Sequence, residues 1–396
     1  MRVRAAAAVV LLVGASALIG AGQADAAPQL PQCDALKVGG PLTGTPWAQT
    51  RLNFQRAWTV TTGKGVRVAV IDTGLDRRHA QLRGTHVAQG HNVIPGFPST
   101  DVTDCSGTGH GTSVTAVIAA QQIEGAHFLG VAPDVTIVPI KQTNTASDKS
   151  SNAAGIALGI DAAIAAKARV VNISVTVSNP GDTLRPAVAR AARANLVIVA
   201  AAGNDGQGQN LPAYPAAYST EFPNVIAVSA SDAKDAIGPF SETGRYVTVA
   251  APGVGVVIPA PFLGYIKADG TSFAAPYVTG TVALVLGAHP QMTAAQVRNR
   301  IEATADRPPA TVPDTKYGYG IVNPYLAVTA VRDDSLAAPT PKPAPPLPVR
   351  VTAPQADRHL AHVALAVAVV LLGLAALAIA GAAVLRGQRP SGRQAT

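Results

Sequence analysis

The stretch GTSFAAP at residues 270–276 decides the fold class, because it places Ser272 at the predicted start of a long apolar helix. Two further short stretches have the same character. VIDTG at residues 70–74 and GHGT at residues 109–112 set Asp72 and His110 among small residues. A hydroxyl, an imidazole and a carboxylate are the groups that a serine nucleophile requires. Asp72, His110 and Ser272 are therefore the candidate catalytic residues.

Each of the three residues also has an ordinary structural interpretation. Asp72 precedes Thr-Gly and suits a turn, His110 lies between glycines at a helix start, and Ser272 suits an N-cap. Their joint occurrence in the order Asp, His, Ser favours catalysis. Small neighbours let a substrate backbone approach, and a helix start supplies N–H groups that stabilise negative charge.

Apolar runs of strand length alternate with helical stretches through the middle of the chain, which predicts a parallel sheet covered on both faces. The predicted strands are residues 66–71, 135–140, 170–174, 196–201, 225–229 and 246–250, and the predicted helices are residues 110–120, 150–166, 183–194, 272–288 and 293–303. Asp72 directly follows the first strand. Active groups in open α/β sheets lie at the carboxyl ends of the strands, so this position suits a catalytic role.

The charge distribution argues against nucleic-acid binding. The 396-residue chain has a net charge of +8, yet residues 27–337 carry 23 Lys and Arg against 21 Asp and Glu, which leaves only +2. The basic excess lies mainly at the two ends, beside apolar segments, where positive charge suits the orientation of a chain in a membrane. We expect no nucleic-acid partner.

Both ends of the chain carry apolar segments. Arg2 and Arg4, an apolar run and Ala24-Asp25-Ala26 predict a signal peptide over residues 1–26, although a retained signal anchor is the alternative. Residues 363–385 carry no charge and would span about 34 Å as a helix, enough to cross a bilayer. Three arginines follow, so the tail is expected in the cytoplasm and the catalytic domain outside.

These segments predict a domain order. It is a signal peptide at 1–26, an extension at 27–50, a peptidase domain at 51–336, a Pro-rich linker at 337–358, a transmembrane segment at 359–385 and a cytoplasmic tail at 386–396. The prolines favour an extended spacer between the domain and the membrane.

The two cysteines, Cys33 and Cys105, are an even number in an exported chain, which favours a disulfide; two buried thiols are the alternative. Other motifs are missing. The sequence has no HExxH pair, no Cys/His cluster at metal-ligand spacing and no Gly-x-Ser-x-Gly elbow, which argues against a catalytic metal site and an α/β-hydrolase esterase. GTHVA at residues 84–88 resembles the sequence after a catalytic histidine, but it follows Arg83, so only His110 has the full pattern.

Together with AAAGN at residues 200–204, the three stretches resemble the subtilisin-like serine proteases, whose triad runs Asp, His, Ser along the chain. The resemblance covers residues 45–330 and implies a three-layer α/β fold with a mainly parallel sheet. It also implies that Asn204 donates to the oxyanion, although Asn-Asp-Gly also suits a turn. It assigns substrate binding to Ser174, Val175, Ala201, Ala202 and Gly203. Two features depart from secreted subtilisins: Thr176 stands where glycine is common, and the segment after residue 26 is too short for a large propeptide.

The whole arrangement, including the single carboxyl-terminal transmembrane helix, resembles the mycosins, membrane-anchored proteases of type VII secretion. That resemblance implies a protein or peptide substrate, contact with membrane lipid and association with the type VII secretion membrane complex. It implies no cofactor, and it leaves structural calcium open because such sites use scattered loop oxygens. The alternative function is a structural component of that complex with dispensable proteolysis.

Overall fold

The computed structural model describes residues 38–145, 152–261 and 263–333, all within the first of two compact units, Met1–Pro345. Its helices are α1 Trp47–Leu52, α2 His110–Ala119, α3 Ala153–Ala165, α4 Leu184–Arg193, α5 Thr271–Ala288, α6 Ala294–Thr304 and α7 Pro324–Thr329. Its strands are β1 Arg67–Asp72, β2 His86–Val87, β3 His91–Asn92, β4 Thr136–Lys141, β5 Val170–Ile173, β6 Val197–Ala201, β7 Val225–Ser231, β8 Val249–Pro252, β9 Val256–Pro259 and β10 Tyr265–Ala268.

The main sheet is parallel, with the order β2-β4-β1-β5-β6-β7-β8, and β3 pairs with the end of β4. β1, β5 and β6 are buried almost throughout, as expected of strands covered on both faces. A separate antiparallel hairpin joins β9 to β10. The predicted α/β class with a mainly parallel sheet is confirmed.

The packing of the helices divides them into two groups. After β1 the chain forms β2 and β3 at the sheet edge beside β4, runs through α2 back into β4, and then passes β1 through α3 to reach β5. Helix α5 packs beside α2 and against the central strands, while α3 contacts α4. The two candidate catalytic helices, α2 and α5, thus share a face.

Helix α5 is buried over most of its length. It is the single helix of the described residues with the length and apolar composition of a membrane span, but 89% of its most apolar window is buried inside the domain, so it is a core helix. The predicted signal peptide, linker, transmembrane segment and tail lie outside the described residues, as does Cys33.

Five predicted strands match observed ones within two residues at each end, but the last does not. Residues 246–250 were expected to form a strand, whereas β8 covers Val249–Pro252. The Ala250 N–H donates to the Gly320 carbonyl at 2.8 Å, so a residue far away in the sequence pairs with β8. The strand position is fixed by this distant partner.

Candidate active site

Asp72 and His110 form a buried pair. Asp72 is the last residue of β1, and His110 is the first residue of α2, which packs against that strand. His110 Nδ1 lies 2.7 Å from Asp72 Oδ1, which also accepts from the Thr73 N–H at 2.8 Å. Asp72 Oδ2 is buried without a hydrogen-bond partner among the described residues. The carboxylate accepts, so Nδ1 carries the proton and Nε2 remains able to take one.

Ser272 lies in the first turn of α5, directly after the first helical residue, Thr271. The N-cap is Gly270, with φ of 153°, so Ser272 does not cap its own helix. The neighbouring Phe273 ring lies 5.2 Å from the imidazole of His110, measured between centroids. The start of α5 therefore meets the start of α2 beside Asp72, as the three sequence stretches predict.

Asn204 approaches the same helix start from the loop after β6. Its side-chain Oδ1 accepts from the Thr271 N–H at 2.9 Å and from the Thr271 hydroxyl at 3.0 Å. These two bonds fix the amide plane. The Nδ2 group has no acceptor among the described residues, and the residue is exposed. An amide held in this way offers its two N–H bonds to a group outside the protein.

The predicted substrate-binding residues form two groups, one directly after β5 and one at the end of β6. The Ser174 hydroxyl donates to the Ser272 carbonyl at 2.8 Å and accepts from Asn172 Nδ2 at 2.8 Å. Val175 is buried next to it. Two residues further along, Val177 and Tyr214 exchange two backbone hydrogen bonds, of 3.1 and 2.9 Å, so this segment pairs with the chain at Tyr214.

The second group consists of Ala201, Ala202 and Gly203, all buried. Gly203 has φ of 111°, and an added Cβ would lie 2.3 Å from the carboxyl carbon of Glu242. Only glycine fits there. The Ala202 carbonyl accepts from the Tyr246 hydroxyl at 3.1 Å, and burial raises the pKa of Tyr246 far above its usual value. Of the predicted substrate-binding and oxyanion residues, Ser174, Gly203 and Asn204 form hydrogen bonds with Thr271 or Ser272 at the start of α5.

The sequence did not point to Asp104, Ser106 or Thr73. Their side-chain oxygens accept from backbone N–H groups in the first turn of α2. The sequence did carry one indication of them. Gly109 precedes the helix and has no side chain to cap it, so a nearby polar residue is needed to accept from the first N–H groups of α2. Among the described residues, no cluster of three or more His, Cys, Asp or Glu side chains is arranged to hold a metal ion.

The sequence profile described as the Subtilase family matches residues 63–320. The chain belongs to the subtilase family. This subtilase is accordingly a serine endopeptidase. Subtilisin DY of Bacillus licheniformis is 37% identical to it over 264 residues, which are 66% of this chain and 90% of the relative.

The subtilase is also similar to proteins of the mycosin group. Mycosin-4 of Mycobacterium tuberculosis (strain ATCC 25618 / H37Rv) is 35% identical over 363 residues, covering 81% of this chain and 78% of the relative. The solved structure of the MycP3 protease from the type VII (ESX-3) secretion system is 29% identical with a TM-score of 0.64, covering 76% of this chain and 93% of that one. The subtilisin-like fold and the resemblance to mycosins are both confirmed.

Proposed function

We propose that Asp72, His110 and Ser272 are the catalytic triad of this endopeptidase. The observation that carries the proposal is the 2.7 Å bond between His110 Nδ1 and buried Asp72 Oδ1 beside the first turn of α5. Ser272 Oγ attacks the peptide carbonyl carbon while His110 Nε2 takes the hydroxyl proton. That proton then passes to the leaving amine, and water repeats the sequence to release the acid. Asp72 holds the imidazole and stabilises its positive charge.

Asn204 Nδ2 and the Ser272 backbone N–H are the proposed donors to the oxyanion. The two bonds from Thr271 to Asn204 Oδ1 support this role, because they tie the amide to the helix that carries the nucleophile. Donors held in advance need no reorganisation when charge develops on the carbonyl oxygen.

Substrate binding is assigned to Ser174, Val175, Ala201, Ala202 and Gly203, of which Ser174 and Gly203 hydrogen-bond to the start of α5. Because the Ser174 hydroxyl donates to the Ser272 carbonyl, we expect Ser174 to bind substrate through its backbone groups. Thr176 adds a side chain at the edge of this segment, and we expect it to narrow the cleft.

The similarity to Mycosin-4 and to the MycP3 protease supports a place beside a type VII secretion complex in a membrane. The proposed arrangement is a signal peptide at 1–26, an extension at 27–50, the peptidase domain at 51–336, a linker at 337–358, a span at 359–385 and an inner tail at 386–396. A Cys33–Cys105 disulfide belongs to this proposal; Cys105 is not a free thiol in the described part of the chain.

The test compares the Ser272→Ala variant with complete deletion of the protein in the native cell. Cleavage of a peptide library and labelling by a fluorophosphonate report the chemistry, and secretion of type VII substrates reports the biological role. We expect Ser272→Ala to abolish cleavage and labelling. Retained cleavage would refute the triad. Secretion that survives Ser272→Ala but not deletion would identify scaffolding as the main role.

A further inference from the structure

The helix that carries His110 begins without a cap of its own. Its N-cap residue is Gly109, with φ of 58° and no side chain to accept from the first N–H groups of α2. Four such groups lack intrahelical partners at any helix start, and leaving them unpaired in a buried position is costly. The first turn of α2 is buried throughout, so another part of the chain must supply the acceptors.

Asp104 supplies them from the loop before the helix. Its Oδ2 accepts from the Thr112 N–H at 3.0 Å and the Thr112 hydroxyl at 2.7 Å. Its Oδ1 accepts from the Ser106 N–H at 3.1 Å and the Ser106 hydroxyl at 2.7 Å. Ser106 Oγ in turn accepts from the His110 N–H at 3.1 Å. Asp104 is 1% exposed, and both carboxylate oxygens are fully used.

The same hydrogen bonds reach the Asp72 side of the site. Thr73 Oγ1 lies 3.3 Å from Ser106 Oγ and accepts from the Gly111 N–H at 2.9 Å. Thr112 Oγ1 accepts from the Asp76 N–H at 2.9 Å. The turn that follows Asp72 and the turn that begins with His110 are thus joined through the Asp104 carboxylate and its two hydroxyl partners.

Lys141 holds the Asp104 loop against the sheet. It pairs in register with Asp72, and its ammonium donates to the Thr103 carbonyl. Burial lowers the pKa of Lys141, while the charges of Asp101 and Asp104 oppose that shift. Among the described residues, the charged groups near the His110 turn include Asp72 from β1, Asp76 with its ion-pair partner Arg78, Asp104, and Lys141 from β4, with Asp101 near Lys141.

We propose that Asp104 is a positioning residue for His110: its carboxylate caps α2 from outside the helix and keeps the His110 imidazole at hydrogen-bonding distance from Asp72. The inference rests on the proposed function, because it assumes that His110 is the general base. A carboxylate at a helix N-terminus is also favoured by the helix dipole. Its negative charge favours the imidazolium that forms during proton transfer.

The test uses the full chain purified after export and the Asp104→Asn variant. Asparagine keeps the shape but presents an N–H₂ group to N–H and O–H donors, so at least one side of the cap is lost. A displacement of the imidazole by about 1 Å costs up to about 100-fold in rate. We expect kcat to fall by about 10- to 100-fold with KM changed less than about twofold, since substrate contacts are untouched.

The pH profile of kcat/KM separates positioning from simple stability. Loss of the Asp104 charge disfavours the imidazolium, so the acid limb of the profile is expected to move to lower pH. Glu302→Gln is the matched control: it removes another buried carboxylate, one bonded to Arg298 on α6, and should leave kcat and the acid limb unchanged. Rates are normalised to the fluorophosphonate-titrated fraction, so unfolded protein does not contribute.

Three further variants, at Ser106 and Thr112, extend the test. Ser106→Ala removes the link from Asp104 to the His110 N–H and should lower kcat less than Asp104→Asn does. Thr112→Ser keeps the hydroxyl and should restore most of the activity that Thr112→Val loses. An Asp104→Asn protein with unchanged kcat and an unchanged acid limb would overturn the inference. Retained activity in His110→Ala would instead overturn the proposed triad, independently of Asp104.

Discussion

The Asp72–His110 pair shows why three side chains must act together. Asp72 uses Oδ1 for both the imidazole and the Thr73 N–H, while Oδ2 is buried without a partner among the described residues. An ionised carboxylate so poorly solvated gains most when the imidazole beside it becomes positive, which happens only after Ser272 gives up its proton. Removing any one group therefore removes the benefit of the other two.

Ser272→Ala and His110→Ala are each expected to lower kcat by several orders of magnitude, and the double variant should be little worse than the worse single variant. The measurement is kcat for one cleavable peptide in all three proteins, with circular dichroism to confirm folding. Losses that multiply in the double variant would contradict a shared triad.

Asn204 is expected to act only in the transition state. Asn204→Ala should lower kcat by about 100- to 1,000-fold with little change in KM, since an oxyanion donor contributes about 3 to 4 kcal/mol. Gln207→Ala is the matched control, because Gln207 is an exposed amide in the same loop. A rise in KM with unchanged kcat would assign Asn204 to substrate binding instead.

At the scale of single elements, α5 contains a polar group that the fold does not use. Tyr277 is fully buried, and its hydroxyl has no hydrogen-bond partner among the described residues. Burial raises the pKa of Tyr277 far above its usual value. Tyr277→Phe should therefore raise the free energy of unfolding by about 1 kcal/mol and Tm by about 2 °C. Tyr246→Phe, which loses its bond to the Ala202 carbonyl, should lower both.

The sign of the pH effect follows from the raised pKa of Tyr277. In the unfolded chain this tyrosine loses its proton near pH 10, whereas the folded protein retains it. Unfolding above about pH 10 therefore releases the Tyr277 proton, so Tyr277 makes the free energy of unfolding fall as the pH rises above about 10 and has no such effect below it. Thermal unfolding between pH 8 and pH 11 should show a shallower alkaline loss in Tyr277→Phe. An identical loss in both proteins would mean that other tyrosines, such as Tyr218 and Tyr246, dominate.

The central strands and helices were predictable because each carries its own pattern. Val-rich runs form β1, β5 and β6, and apolar stretches form α2 and α5. Elements fixed by distant contacts were not. β9 and β10 depend on each other, and β10 also depends on Gly40, which exchanges two backbone bonds with Tyr265. No local pattern encodes such a partner.

The site divides in the same way. Asp72, His110, Asn204 and Ser272 lie in short stretches with small neighbours, so the sequence alone pointed to them. Asp104 has no such context. Its role arises because Gly109 cannot cap α2, and because the fold returns Thr112 and Ser106 to the same carboxylate. A hydrogen-bond partner chosen by three-dimensional packing leaves no spacing to recognise.

At the scale of the whole molecule, the proposed catalytic helices and the pair α3 and α4 lie on different faces of the main sheet. Helices α2 and α5 share the face that brings His110 and Ser272 together, while α3 and α4 cover the other. The core that holds this arrangement includes α5, whose apolar character belongs to the domain interior and not to a lipid bilayer. The proposed attachment to a membrane is therefore assigned to another segment.

That segment is predicted to be the uncharged stretch at residues 363–385, followed by Arg386, Arg389 and Arg393. Export of the chain with retention of these arginines inside would leave the catalytic domain outside. Protease added to intact cells should release the domain by cleavage in the Pro-rich linker, while a tag placed after Thr396 stays protected. A cytoplasmic marker protein serves as the control for cell integrity.

A chain that ends at Ala337 provides the stricter test of this topology. It keeps the signal peptide and the whole catalytic domain but lacks the uncharged stretch, so we expect it to be exported and recovered in the soluble fraction with unchanged kcat. The kcat should persist because every proposed site residue lies before residue 277. The experiment belongs in cells without a type VII secretion complex, since a protein partner would also retain the domain at the membrane. Membrane association of the truncated chain in those cells would contradict a single carboxyl-terminal anchor.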